Sequence, residues 1–483
     1  MLPPDTNFTI MQSLNEEKMN KNDESFRDSM SIVSKEGKRV WIYPKKPKGK
    51  FYNARTWVSI LLLLFLFITP FIKIGDHPFL LFNIVERKFI IFGIAFGPHD
   101  FYLFGLAVIS FIVFIILFTA VFGRVFCGWI CPQTVLLEMV FRKIEYWLEG
   151  DALEQKRLNA SPWTGSKILK KYLKYGIFFA LSFIISNFLL AYIIGIDALW
   201  KIVTDPPSEH ITGLVSMLAF TALFYWIFAW FREQACILVC PYGRLQGVLL
   251  DPNSVVIAYD YVRGEPRGKL KKNEGNTQGD CIDCNQCVEV CPTGIDIRNG
   301  TQLECVNCTA CIDACDAIMD KVKKPRGLIR FASENNIKNK LKFTVTPRII
   351  GYSALLVLLL TVLTIFMFNR SDIDVNILRA PGMLYQEQPG DVLSNLYNMK
   401  IVNKTFDEVP INVKLENAKG EIKLIGNGNI KIEPSGILEG KFLVLLPKDE
   451  IKLMNTPLLI GVYKGNEKID EIKTSFLGPV KEN

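Results

Sequence analysis

Histidine is nearly absent from this chain. Only His77, His99 and His210 occur among 483 residues, and none of them lies within a long apolar run. This scarcity argues against a haem held inside a bilayer by two histidines. All three histidines lie in predicted loops, where a role in metal entry is open, although a chance distribution is the preferred interpretation.

A signal peptide is also missing, because no apolar segment follows a short basic start. Residues 1–35 mix charges of both signs without apolar periodicity, which is typical of a disordered tail. The formal net charge of +8 is modest, and basic loops beside membrane spans can account for it. No nucleic-acid partner is therefore predicted.

Long apolar runs are plentiful. The chain is 49% hydrophobic yet 22% charged, as expected when membrane spans and water-exposed domains share one polypeptide. Five runs approach the roughly 20 residues that a helix needs to cross a bilayer. They cover residues 57–72, 101–122, 175–196, 211–231 and 349–368. The sequence thus predicts a membrane part of five α-helical spans.

The distribution of basic residues predicts the orientation of these spans. Nine Lys and Arg residues lie between the second and third runs, whereas the next loop carries only Lys201. The positive-inside rule then places the N-terminus and residues 124–174 in the cytoplasm. Five spans put the segment after the fourth run in the cytoplasm and the C-terminal region in the periplasm. We therefore expect a multi-pass protein of a bacterial inner membrane.

Eight of the twelve cysteines repeat one spacing, C-x2-C-x2-C-x3-C, and no cysteine follows the second copy. In two-cluster ferredoxins, three thiolates of one motif and the last thiolate of the other hold each [4Fe–4S] cluster. The first predicted ligand set is Cys281, Cys284, Cys287 and Cys315. The second predicted ligand set is Cys291, Cys305, Cys308 and Cys311. This region is predicted to be an electron-transfer module.

Structural zinc and a disulfide knot are the alternatives for these eight cysteines. Zinc sites usually present two separate C-x2-C pairs, and disulfides require an oxidising compartment, which the predicted topology does not provide. The first motif ends in Cys291-Pro292, as is usual, but the second ends in Cys315-Asp316. This departure leaves the number of ligands unchanged.

The other four cysteines form a second pattern, C-x3-C-P, which ends two of the apolar runs. These residues are Cys127, Cys131, Cys236 and Cys240. Pro132 and Pro241 follow the second cysteine of each pair, and Arg124 and Arg232 precede the first. The membrane part therefore resembles a duplicated two-span unit.

Each proline suits the first position of a new helix, so the second cysteine of each pair is predicted at a helix N-terminus. A helix N-terminus and a nearby arginine both favour the thiolate, which is a soft ligand that selects Cu(I). Two alternatives stay open. The cysteines could be small apolar residues at helix breaks, or all four could hold a further iron–sulfur cluster.

Beyond residue 370, short alternating runs are separated by Gly, Asn, Lys and Pro, which predicts an antiparallel β-sandwich. The predicted domains are a cytoplasmic tail (1–50), a four-span membrane domain (51–250), a cytoplasmic ferredoxin-like domain (251–346), a fifth span (347–370) and a periplasmic immunoglobulin-like domain (371–483).

Taken together, these motifs resemble the cytochrome c oxidase accessory proteins of the CcoG/FixG type. The resemblance covers both C-x3-C-P sites, the run C-P-T-G-I-D-I-R-N-G from Cys291 and the A-C-I-D-A-C-D ending. It implies an immunoglobulin-like C-terminal domain and a role in assembling the cbb3-type cytochrome oxidase. It also implies reduction of Cu(II) to Cu(I) for the copper centre of that oxidase.

Three functions follow as hypotheses. The first is a cupric reductase and copper-delivery factor, with oxidase subunits or copper-handling assembly factors as partners and an unknown electron donor. The second is an electron relay of the quinol-dehydrogenase kind that feeds a partner reductase. The third is a non-catalytic scaffold whose exported sandwich grips oxidase subunits.

Overall fold

The computed structural model describes residues 32–34, 36–75, 77–84, 88–97, 100–269, 278–340, 345–426, 430–434, 436–451 and 453–479. They form two compact units. One draws on Met1–Ile68, Ile109–Leu190 and Asp197–Leu358, and the other on Thr69–Val108, Ala191–Ile196 and Leu359–Asn483. His99 and nearly all of the predicted disordered tail lie outside the described residues.

Within the described residues, six helical stretches are long and apolar enough to cross a membrane. Five of them overlap the apolar runs predicted above, and a helix satisfies its own backbone hydrogen bonds, as a bilayer requires. These five stretches are Lys50–Phe71, Phe101–Phe122, Gly165–Ile194, Ile211–Phe231 and Pro347–Phe368.

The sixth stretch, Val125–Leu148, was expected to be part of a basic cytoplasmic loop. It comprises the helix Val125–Trp129, a break at Cys131, the helix Pro132–Leu136, a π-helical turn and the helix Arg142–Leu148. Half of the residues in its most apolar 18-residue segment are buried inside the chain, whereas at most 28% are buried in the other five stretches. The sequence does not predict this stretch, because charged residues interrupt its apolar ones.

Shorter helices connect these stretches, and most of them are at cytoplasmic positions of the predicted topology. They are Ala152–Ala160, Ile196–Thr204, Pro241–Leu249, Tyr261–Gly264, Gln286–Glu289, Ala310–Lys321 and Glu334–Asn339. A π-helix, Ala235–Val239, carries Cys236.

The cysteine-rich region is built around a two-stranded antiparallel sheet, Val256–Tyr259 with Ile329–Ala332. Ile257 and Ile329 are buried, and they pack with Ile312 and Met319 of the helix Ala310–Lys321. Five cysteines take part in the same core: Cys281, Cys287 and Cys315 are buried in it, and Cys305 and Cys311 pack against it. Apolar packing therefore holds both motifs in place.

The second unit contains a small sheet of three strands, Leu80–Asn83, Lys88–Ile91 and Ile94–Phe96, and a two-stranded ladder, Lys73–Ile74 with His77–Pro78. Phe, Leu and Ile supply most residues of the three strands, a composition that favours strands.

The C-terminal part of the second unit consists of two antiparallel sheets. One has the order Glu421–Ile425, Ile437–Pro447, Val392–Asn403 and Ile373–Arg379, with Gln386–Gln388 also paired to Val392–Asn403. The other has the order Ile430–Ile432, Val409–Leu415, Asn455–Lys464 and Glu467–Leu477. The fully buried pair Tyr397 and Phe442 stacks in the core.

Candidate metal centres

The last cysteine of the second motif lies with the first three cysteines of the first motif. Cys281, Cys284, Cys287 and Cys315 line one cavity. Cys284 is exposed, whereas the other three are buried. This is the grouping that cross-ligation between two ferredoxin motifs requires.

The complementary group of cysteines lines a second cavity. Cys291 joins Cys305, Cys308 and Cys311 there, and apolar side chains complete the wall. Cys287 borders both cavities. The two candidate centres are therefore neighbours, close enough to share a wall.

Equivalent loop residues shape both cavities. Asp283 and Asn285 flank Cys284 with positive φ values of 51° and 56°, and Asn307 and Thr309 flank Cys308 with values of 52° and 69°. Asp and Asn tolerate this left-handed conformation, but a β-branched threonine adopts it rarely. The backbone thus follows the same tight path in both motifs, and it turns the three cysteines of each motif toward one point.

The eight thiols fit a cluster better than a single ion or a disulfide. All twelve cysteines are free. Among the described residues, no three cysteine sulfurs lie within 4.8 Å of one another, although thiolates sharing one zinc ion would be about 4 Å apart. Burial raises the pKa of Cys305 to about 12 and that of Cys308 to about 11. Strong positive charge from bound metal is needed to keep such thiols deprotonated.

The structure explains why aspartate follows the second motif. The helix Ala310–Lys321 continues through Asp316, where a proline would remove a helical hydrogen bond. Asp316 instead accepts a hydrogen bond from the Gly327 backbone N–H at 2.9 Å. The helix of the first motif ends at Glu289, before Cys291, so Pro292 fits there.

Each second cysteine of the C-x3-C-P sites lies at the start of a helix, as predicted. Cys131 is the N-cap of the helix Pro132–Leu136, and Cys240 is the N-cap of Pro241–Leu249. Neither pair lies on one continuous α-helix. Cys127 belongs to the preceding short helix, and Cys236 lies in a π-helix.

The two C-x3-C-P sites converge. Burial raises the pKa of Cys236 to about 12, and the nearby thiols of Cys131, Cys127 and Cys240 add to the shift. Four cysteines from two distant parts of the sequence therefore face one location.

The Cys127 thiol donates a hydrogen bond to Oε1 of Gln246 at 3.0 Å. Gln246 is fully buried, and its Nε2 donates to Oγ1 of Thr119 at 3.1 Å. Both distances fall in the range of well-formed bonds. Nothing in the sequence marked Gln246 as part of this site.

The contacts of Arg124 and Arg232 differ from the prediction that each arginine lies beside the second cysteine of its pair. Both Nη atoms of Arg232 donate to the Glu145 carboxylate, at 2.6 and 2.8 Å, so its charge is already paired. Arg124 interacts with Cys127, the first cysteine of its pair, and also donates to the Leu303 carbonyl. The prediction that each arginine acts on the second cysteine is therefore not supported by these contacts.

Gly128 packs the first C-x3-C-P site against the second ferredoxin motif. A Cβ atom at this position would lie 2.4 Å from the Val306 carbonyl oxygen and 2.9 Å from the Cys308 nitrogen. Contacts below 3.0 Å with backbone atoms leave no room for a side chain. Only glycine allows the two segments to approach this closely.

Asp313, inside the A-C-I-D-A-C-D segment, joins the same motif to the first long helix. Its carboxylate accepts hydrogen bonds from the backbone N–H groups of Phe51 and Tyr52, at 3.1 and 2.8 Å. These are unpaired N–H groups of the first helical turn, which favours an acidic partner. In the sequence, Asp313 is recognisable only as one residue of the A-C-I-D-A-C-D segment.

The two histidines among the described residues, His77 and His210, contact residues other than cysteine. His210 contacts Asp205 at 3.0 Å, and with Glu209 these residues form a set of three donor atoms within 4.8 Å. His77 stacks on Phe406 with ring centroids 3.6 Å apart. The structure therefore gives His77 a packing role.

Models of known domain families match three parts of the chain. A 4Fe-4S binding domain matches residues 104–150, a 4Fe-4S dicluster domain matches residues 231–334, and the IG-like fold found at the C-terminus of FixG matches residues 363–479. The first match contains Cys127 and Cys131. The second contains the other ten cysteines.

Two relatives match most of the chain. Protein RdxB of Cereibacter sphaeroides is 34% identical over 384 residues, which cover 76% of this chain and 80% of that protein. Nitrogen fixation protein FixG of Rhizobium meliloti is 30% identical over 461 residues, which cover 85% of this chain and 87% of that protein. With its apolar helices, iron–sulfur motifs and IG-like domain, the chain belongs to the FixG/CcoG family of membrane iron–sulfur electron-transfer proteins.

Proposed function

We propose that this protein delivers electrons to copper during assembly of a cbb3-type cytochrome oxidase. In this proposal the four membrane cysteines, Cys127, Cys131, Cys236 and Cys240, bind copper as the substrate. Cu(II) takes up one electron and becomes Cu(I), which soft thiolates retain. The eight cysteines of the ferredoxin motifs hold two [4Fe–4S] clusters, which gain and lose single electrons when bound.

The close packing of Gly128 on the backbone of Cys308 is the observation that carries this proposal. It brings the C-x3-C-P pair against the loop of the second ligand set with no side chain between them. Arg124 reinforces the junction by donating to the Leu303 carbonyl, just before that motif. In this proposal, the copper-binding cysteines and the loop that holds the second cluster are therefore in direct contact.

Cross-ligation of the clusters is part of the proposal. The two cavities support it, because each is lined by three cysteines of one motif and the last cysteine of the other. The left-handed residues on both sides of Cys284 and Cys308 support it as well, since they give both loops the same path.

We also propose five spans, with the ferredoxin motifs in the cytoplasm and the IG-like domain in the periplasm. In this topology Val125–Leu148 does not cross the membrane, because it is broken at Cys131 and half of the residues in its most apolar segment are buried. Its buried charges are paired within the same unit: Arg142 contacts Glu138 at 2.9 Å, and Glu145 contacts Arg232 at 2.6 Å.

A third cluster is the competing occupant of the membrane cysteines, and two observations favour it. The 4Fe-4S binding domain matches residues 104–150, which include Cys127 and Cys131. The four thiols also show no group of three within 4.8 Å among the described residues. With this occupant the protein is an electron relay, and copper is not its substrate.

Metal analysis of the anaerobically purified protein separates these proposals. Copper binding predicts about eight iron atoms per chain, together with Cu(I) retained after Cu(II) is added with dithionite as the reductant. A third cluster predicts about twelve iron atoms and no retained copper. Fewer than about eight iron atoms, with EPR signals of a single cluster, would contradict the two-cluster assignment.

A further inference from the structure

Two buried arginines belong to segments that contact the second ferredoxin motif. Arg55 is 2% exposed and Arg124 is 4% exposed. Arg55 follows Phe51 by four residues in the helix Lys50–Ile68, so both side chains leave the same helix face. Phe51 packs against the core of the ferredoxin region. That face therefore brings the Arg55 guanidinium to the second motif.

These guanidinium groups lack the partners that buried cations normally have. Nε and Nη2 of Arg55 and Nε of Arg124 are buried without a hydrogen-bond partner among the described residues. In that part of the chain, no carboxylate forms an ion pair with either arginine. A buried and unpaired charge is costly, so an anionic group is expected beside it.

Hydrogen bonds place both arginines beside the second motif. Arg124 donates to the Leu303 carbonyl, two residues before Cys305. The helix that carries Arg55 meets the same motif through the Phe51 backbone N–H, which donates to Asp313 at 3.1 Å. The Asp313 carboxylate accepts only backbone N–H groups among the described residues, and Glu138 is paired with Arg142 at 2.9 Å. Neither carboxylate forms an ion pair with Arg55 or Arg124 in that part of the chain.

The first cavity has the opposite balance. Its nearby cation, Arg298, donates to Asp283 at 2.5 Å and to Asp296 at 2.7 Å, so two carboxylates neutralise it. Asp316, next to Cys315, adds a further negative charge. The first cavity also includes Cys284, which is exposed to solvent.

We infer that Arg55 and Arg124 make the second cluster the more readily reduced of the two and so direct electrons toward Cys127. Reduction adds negative charge to a cluster held by four thiolates, and a nearby buried cation stabilises the reduced form. Electrons then enter beside exposed Cys284 and leave beside Gly128. This inference rests on the proposed assignment of two cross-ligated clusters.

An EPR-monitored redox titration of the anaerobic full-length protein tests the inference. At the potential that half-reduces the second cluster, Arg55→Met should lower the ratio of reduced to oxidised cluster about tenfold, which corresponds to about 59 mV for one electron. The first cluster should titrate unchanged. Arg55→Lys keeps the charge and should restore most of the wild-type behaviour.

Arg326→Met is the matched control, since Arg326 forms an exposed ion pair with Asp320 in the same region. It should leave both potentials unchanged. The second cluster is identified as the one that Cys291→Ser removes. If Arg55→Met loses iron, Arg124→Met and Arg55→Gln undergo the same titration.

The inference would be overturned if Arg55→Met kept its full iron content and neither reduction potential changed. It would also be overturned if only the cluster that Cys315→Ser removes changed its potential. Loss of iron in all three substitutions that remove the charge, with Arg55→Lys retaining it, would also overturn it, because the arginines would then be required for assembly. A wild-type protein with fewer than about eight iron atoms would instead reject the proposed function.

Discussion

Gly128 lies directly against Cys308, with the position of a Cβ atom at residue 128 only 2.9 Å from the Cys308 backbone nitrogen. One residue belongs to a C-x3-C-P site and the other to a ferredoxin motif, 180 positions apart in the sequence. The contact shows that the two cysteine patterns form one structural unit.

Replacing Gly128 with alanine should separate the two sites. The new methyl group would meet the Val306 carbonyl, a backbone atom that cannot move aside easily. We expect iron to be retained and Cu(II) reduction to fall by about tenfold to a hundredfold, because transfer depends on close positioning. The measurement is the rate of Cu(I) formation when Cu(II) is added anaerobically to protein that has been reduced with dithionite and then freed of the excess.

Gly176→Ala is the control. Gly176 is likewise a helical glycine, but the space around its Cβ position is open to 4 Å. It should reduce copper at the wild-type rate. A wild-type rate in Gly128→Ala as well would mean that the contact does not serve electron transfer.

Asp313→Ala should loosen the ferredoxin motif from the first long helix. Two backbone N–H groups, those of Phe51 and Tyr52, would lose their acceptor, at a cost of about 1 kcal/mol. We expect the visible absorbance of the clusters to be lost at a lower temperature. Asp320→Ala, which removes an exposed carboxylate near the other end of the same helix, should melt like the wild type. Equal melting of both variants would refute this role of Asp313.

Much of the architecture could be predicted because it depends on local patterns. Five apolar runs predicted five long helices, and the prolines after Cys131 and Cys240 predicted two helix starts. Alternating apolar residues predicted a sandwich. The sequence pattern does not predict the strands Ile373–Arg379, Gln386–Gln388 and Glu421–Ile425, because they are short or have exposed faces.

Other parts could not be predicted, because they depend on contacts between distant segments. Arg232 was expected beside a thiolate but is paired with Glu145, 87 residues away. Gln246 reaches Cys127 across 119 residues. Neither contact corresponds to a periodicity or a motif spacing that can be recognised in the sequence. The stretch Val125–Leu148 could not be predicted either, because its charged residues are typical of a polar loop. In the structure they form buried ion pairs.

Single substitutions in the two motifs test cross-ligation. Cys291→Ser should damage the cluster that is also held by Cys305, Cys308 and Cys311, and Cys315→Ser should damage the other one. EPR spectra distinguish the two clusters by the power and temperature dependence of their signals. If each substitution removed the cluster of its own motif, the ligand sets would have to be reassigned.

Reporter fusions test the topology. A fusion at Lys272, which lies outside the described residues, should report the cytoplasm, and a fusion after Asn376 should report the periplasm. A further fusion within Ala152–Ala160 decides whether Val125–Leu148 crosses the membrane, because only five spans place that helix in the cytoplasm. A periplasmic signal there, or a cytoplasmic signal after Asn376, would contradict the proposed topology.

The central claim is that the membrane cysteines bind copper while the ferredoxin cysteines bind iron. The double substitution Cys131→Ser and Cys240→Ser removes two soft ligands and leaves all eight ferredoxin cysteines in place. Its most direct test is simultaneous iron and copper analysis of the anaerobic variant, which is first reduced with dithionite, then freed of the excess and finally mixed with Cu(II). The account predicts wild-type iron, an unchanged EPR spectrum and loss of both Cu(I) retention and Cu(II) reduction. Unchanged copper retention and reduction would contradict it, as would loss of about four iron atoms, the amount in one cluster.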